Sequence, residues 1–187
     1  MKKTLLTLAL VAMTAVASFA QGTIQFNNGT LTRVTYKDAS GVSLGNLPTA
    51  IGVVYGVFVN GSDTPVQPLG NNQGVNAGII NASGLYPIPG TAENQVVSLQ
   101  VRGWSASFGN DWQAASRTAG ALFGETDVRN VTLGLSTAAP AVIWQTATGT
   151  ATDKFKPLVL LTVVPEPSTI ALAVLGLGSL LLFRRRK

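Results

Sequence analysis

Two apolar ends, each bordered by basic residues, confine the ordinary folding part of this chain to its middle. The first twenty residues read MKKTLLTLALVAMTAVASFA: Lys2 and Lys3, an apolar run from about Leu5 to Val16, then Ser18 and Ala20 on either side of Phe19. That order is the order of a secretory signal and predicts removal of residues 1–20 by signal peptidase between Ala20 and Gln21; an uncut N-terminal anchor is the alternative. Near the other end, Ile170 to Phe183 is a run of 14 residues, apolar except for Gly176, Gly178 and Ser179, followed by Arg184, Arg185, Arg186 and Lys187. As a helix it would measure about 21 Å, against about 30 Å of bilayer hydrocarbon. It becomes a marginal span only if Ser168 and Thr169 extend it and the basic groups snorkel to the interface. The basic cluster then stays on the cytoplasmic side and everything before it lies outside.

Just before that run stand Pro165, Glu166 and Pro167. Neither proline can continue a helix, and both favour an extended chain, so the backbone outside the membrane is expected to be stretched and open to a membrane protease. Pro165-Glu166-Pro167, the short apolar helix and the terminal basic cluster, all within residues 165–187, resemble the PEP-CTERM sorting signal of bacterial envelope proteins. The resemblance implies recognition by exosortase, an integral membrane cysteine protease and transpeptidase. It also implies an exported protein of a bacterium that makes exopolysaccharide, anchored at its C-terminus in the membrane at least transiently and then found at the cell surface or outside the cell. A plain stop-transfer anchor is the alternative; a GPI signal fits less well, because its apolar tail lacks a basic end. More weakly, GTIQFNN (Gly22 to Asn28), VSLQVRGW (Val97 to Trp104) and VTLG (Val131 to Gly134) resemble small exported PEP-CTERM proteins of verrucomicrobial bacteria, which implies a β-rich fold and no reaction.

The charge belongs to the ends. The whole chain carries +5 and a sequence pI near 9.9, yet residues 21–164 hold seven basic and seven acidic side chains. No nucleic-acid partner is therefore expected. These 144 residues contain neither Cys nor His. Without disulfides the domain must rest on core packing, and Ser-His-Asp or Cys-His catalysis and His or Cys metal sites are excluded. No glycine-rich phosphate loop with a lysine occurs.

Within the middle, alternation of period two marks half-buried strands at Thr23 to Asn27, Arg33 to Lys37, Val97 to Trp104 and Val131 to Leu135. Ile51 to Val59 is apolar on both faces and reads as a central strand in which Gly52 and Gly56 mark close packing or a bulge. Leu158 to Val164 leads into the sorting signal. Turn signals such as Asn28-Gly29, Asn60-Gly61 and Asp38 to Gly41 separate these runs. Asn110 to Gly120 breaks the pattern: a polar N-cap, Gln113 three residues on, helix formers and a closing glycine predict a short helix that caps one end of the fold with Trp112. Residues 60–95 are turn-rich, with one or two strands unplaced. The expected fold is mainly β, an antiparallel β-sandwich of jelly-roll or Ig-like type over residues 21–164 with one short helix, plus an N-terminal signal helix and a C-terminal hydrophobic helix.

Function is read less sharply than location. Trp104 and Trp112 are the candidates for stacking on sugar rings; Trp144, Tyr36, Tyr55 and Tyr86 share that chemistry, and the bland reading of all six is core packing. Asp111, Glu125 and Asp127 lack the spacing of a calcium loop, so neither metal nor cofactor is expected. The leading expectation is a non-enzymatic cell-envelope or extracellular-matrix protein with a structural or interaction role in an exopolysaccharide layer. The alternative is a carbohydrate-binding module using exposed aromatics, and a glycosidase built on a carboxylate pair comes third.

Overall fold

The computed structural model describes residues 21–72, 76–82, 84–136, 139–145 and 154–164. The signal segment with Ala20, the motif Pro165, Glu166 and Pro167, the apolar run 170–183 and the basic residues Arg184, Arg185, Arg186 and Lys187 lie outside them; Gln21 is described and exposed.

The alternating runs become strands because one side of each can be buried. β4 (Val53–Val59) and β7 (Val96–Ser105) pair antiparallel along their length, from Val53 opposite Ser105 to Val59 opposite Leu99. Val53, Tyr55 and Val57 on β4 then face inward with Val97, Leu99 and Val101 on β7, all buried. Around this pair the larger sheet runs β3 (Ser43–Asn46), β2 (Thr35–Lys37), β11 (Val159–Thr162), β8 (Leu122–Glu125), β7, β4, β5 (Val66–Asn71). An additional strand, β9 (Arg129–Thr132), continues the edge of β7 beyond β8. The register moves by one residue between the β7–β8 and β7–β9 pairings, and the Thr126 hydroxyl fills the irregularity by accepting the Val101 N–H at 3.0 Å.

The smaller sheet has three strands, β10 (Ala141–Val142), β1 (Thr23–Gln25) and β6 (Tyr86–Pro87). One apolar cluster draws on both sheets: Ile24, Phe26, Tyr86 and Ile143 belong to it together with Tyr55, Leu99 and Leu160. Burying side chains of this size is worth about 2–3 kcal/mol each, and with no cysteine in the chain this cluster replaces covalent staples.

Two expectations are corrected here. The fold is mainly β with one short helix, but the sheets are mixed rather than antiparallel: β11 runs parallel to β2, and β1 parallel to β10. The physical reason is chain order. β2 and β11 come from opposite ends of the domain, so no hairpin dictates their relative direction. Second, the helix α1 (Trp112–Arg117) is shorter than the run 110–120, and its N-cap is Asp111, whose carboxylate accepts the Ala114 N–H at 2.8 Å. It packs over the outer face of β7 and β8 rather than at one end, because Phe58, Trp104 and Phe123 make that face apolar. The expected role of Gly56 is met on both counts. The β4–β5 register shifts beside it, and a Cβ there would come within 3.0 Å of the Trp104 ring and 2.8 Å of Pro65.

Candidate functional site

The aromatic candidates converge under α1, but as a packed cluster. On β7 the outward positions Gln100, Arg102 and Trp104 lie beside Phe58 of β4 and Phe123 of β8, and α1 lowers Trp112 onto them. Trp104 is fully buried and donates its indole N–H to the Gly109 carbonyl at 2.9 Å. The expectation that it stacks on a sugar ring is therefore wrong: on this face of the sheet the helix, not solvent, covers it. Trp112 is partly exposed, and its indole N–H donates to the Asp63 carbonyl at 2.9 Å. Its ring meets Phe58 edge-on at 5.7 Å and stacks with Phe123 at 6.1 Å, and the Arg102 guanidinium carbon sits 4.0 Å from its centroid. A ring face taken by a guanidinium does not serve as a platform for sugar.

Arg102 is the residue that sequence reasoning missed. Its guanidinium is held between Phe58, at 4.4 Å, and Trp112, at 4.0 Å. Nε lies 3.0 Å from Gln100 Oε1 and 3.3 Å from Glu125 Oε2, while Nη1 is buried without a hydrogen-bond partner. In sequence it is one more polar residue in an alternating strand; nothing local marks it as the centre of an aromatic cage.

The remaining candidates also have structural duties. Tyr55, Tyr86 and Trp144 are buried; the Tyr86 hydroxyl reaches the Val66 and Pro68 carbonyls, each at 2.7 Å, and the Trp144 N–H donates to the Phe26 carbonyl at 2.8 Å. Burial pushes both tyrosine pKa values up. Asp111 caps α1, Glu125 pairs with Arg102, and Asp127 pairs with Arg129 at 3.1 Å. Among the described residues no group of three acidic side chains is placed to hold a metal ion. Two partly exposed carboxylates are held below their ordinary pKa by hydrogen bonds: Asp38 by the Ser40 hydroxyl and then the Val42 N–H, Glu93 by the Ser136 hydroxyl and then its N–H.

At its C-terminal end the domain runs straight into the expected signal. β11 is an interior strand between β2 and β8, and beyond it the Val163 N–H donates to the Ala121 carbonyl at 2.8 Å while Val163 accepts from Gly120 N–H at 3.0 Å. Only Val164 separates this hydrogen-bonded residue from Pro165. Among the described residues no helix is long and apolar enough to cross a membrane.

Comparison with known proteins adds a single finding, and it falls on this end. Residues 163–187 match the family described as the PEP-CTERM protein-sorting motif. The match indicates exosortase-dependent sorting of an exported protein. No curated protein matches the chain, and no solved structure does. The likeness to verrucomicrobial proteins therefore has no homologue behind it.

Proposed function

We propose that residues 21–164 form the passenger of a sorted protein: a non-enzymatic β domain that is exported, stopped at the membrane by residues 165–187, processed by exosortase and delivered to an exopolysaccharide layer, where its role is structural or interactive. The observation that carries the reading is the match over residues 163–187 together with its junction to the fold, because the matched segment begins while the chain is still hydrogen-bonded to β8's leading edge. An interior strand cannot be drawn away without opening two ladders, so the protease meets a folded domain set close to its substrate motif. The apolar cluster shared by the two sheets supports a sandwich, and the absence of Cys and His removes Ser-His-Asp and Cys-His catalysis.

The test is replacement of the motif. Pro165→Ala combined with Glu166→Ala, expressed in a host that has exosortase, is expected to leave an unprocessed C-terminal precursor in the membrane fraction. Processing and location unchanged from wild type would refute the sorting claim. For the finer role, the exported protein is expected to co-fractionate with native exopolysaccharide; its recovery only in polysaccharide-free fractions counts against it.

A further inference from the structure

Away from the aromatic cluster, the smaller sheet bears a cleft of about 320 Å³, at the small end of the range for ligand cavities. It follows from alternation along β1. Ile24 and Phe26 are fully buried in the core, which turns Gln25 and Asn27 to the opposite side. Val142 of β10 is in parallel register with Gln25 and flanks it. Trp144 closes the cleft, its ring fixed by the hydrogen bond to the Phe26 carbonyl, and Gln145 and Leu31 complete the wall.

We infer that this cleft is a binding site for a neutral saccharide, a terminal or short segment of an uncharged glycan. Three features select that ligand class. Among the described residues no ionisable side chain lines the cleft, so this lining offers an anionic or cationic ligand no counter-charge. The polar side chains are uncharged: the amides Gln25, Asn27 and Gln145 and the Thr30 hydroxyl, each able to donate and to accept, the combination that matches sugar hydroxyls able to do either, while Asn28 is engaged by the backbone. The apolar groups at the rim, Leu31 at 55% and Val142 at 36% exposure, suit the C–H faces of a sugar ring.

The cleft is also prepared for a ligand. Asn27 Oδ1 is buried without a hydrogen-bond partner, so a rotation of that amide toward a ligand hydroxyl sacrifices no existing bond at the oxygen. The turn that presents Leu31 is held from beneath. Asn28 donates to the Thr32 carbonyl at 2.6 Å and the Gly78 carbonyl at 3.0 Å, and accepts the Ile80 N–H at 2.7 Å. Those bonds pre-order the turn, so little conformational freedom is left to lose on binding.

The ligand class deepens the proposed role in a polysaccharide layer and rests on it for its biological setting, but binding itself is tested separately. The full-length chain in detergent is titrated with neutral hexasaccharides built on glucose, mannose or galactose, and with polygalacturonate as the charged probe. At least one neutral probe is expected to bind, with an affinity flat across neutral pH, and Asn27→Ala and Leu31→Arg are each expected to weaken it at least about tenfold. Leu31 is exposed, so Leu31→Arg keeps the test sound should Asn27→Ala fail to fold. The inference is overturned by no neutral probe binding up to about 10 mM, by preference for polygalacturonate, or by binding that survives Leu31→Arg. Binding that Leu31→Arg removes supports the site even where the exported protein does not co-fractionate with native exopolysaccharide, an outcome that refutes only the role in the layer.

Discussion

Trp112→Ala separates two opposite meanings of one side chain. Were Trp112 a glycan platform, its loss would abolish ligand binding and leave stability near wild type. The structure gives it a different duty: it covers Phe58 and Phe123, flanks the Arg102 guanidinium and donates to the Asp63 carbonyl. Burial of an indole removes about 150–250 Å² from water; taking the lower figure for this partly exposed side chain, at ~25 cal/mol per Å², truncation removes about 4 kcal/mol of burial. Alanine recovers about 0.5 kcal/mol through its helix preference, and relaxation of α1 recovers a similar amount, so the net loss is about 3 kcal/mol. For a domain of this size that is a fall in Tm of roughly 10 °C. Urea unfolding of the full-length chain, followed by far-UV circular dichroism with thermal melts alongside, reads both quantities. A variant within about 0.5 kcal/mol of wild type would refute the packing argument, all the more if saccharide binding were lost at the same time.

Other outcomes follow from the same contacts. The Tyr55 hydroxyl is buried without a partner, so Tyr55→Phe is expected to raise stability by about 1 kcal/mol in urea titrations, and a loss of that size would mean that the hydroxyl has a partner. A Cβ at Gly124 would run into the Val159 carbonyl, so Gly124→Ala is expected to disrupt the pairing of β8 with β11 at a cost of about 3 kcal/mol; wild-type melting would contradict that close approach. The Ser136 bonds lower the folded pKa of Glu93, so their stabilisation is present above the unfolded pKa and disappears as pH falls through the folded one. Glu93→Gln is accordingly expected to be less stable than wild type at neutral pH and equal to it in strong acid, and a difference that persists in acid would reject the linkage.

Much of the local structure could be read in advance. β1, β2, β4, β7 and β11 lie within runs where apolar and polar residues alternate or where both faces are apolar, and α1 lies within the segment that breaks that pattern. β8, Leu122–Glu125, escapes reading although its burial alternates over four residues; the other strands that escape it lack the signal. β3, Ser43–Asn46, is exposed at every position and so has no buried side to repeat. β5 is an edge strand that contains Pro68 and Gly70, residues that sequence patterns assign to turns. β6 and β10 are two residues each, too short for any period.

The two tryptophans show the deeper limit. Trp104 occupies a polar-side position of its strand, and its burial depends on Phe58, Trp112 and Ala115, which belong to other elements. Gln25 and Asn27 likewise acquire a shared cleft only when Val142 and Trp144, more than a hundred residues away, are brought beside them. The sorting segment differs in kind. The match over residues 163–187 rests on a linear order of residues, and that order is already complete in the amino-acid string. The direction of β11 against β2, the cage around Arg102 and the amide-lined cleft depend on contacts between segments far apart in the chain. Those contacts exist only after folding, because they satisfy burial and hydrogen bonding jointly and leave no periodic mark on either partner.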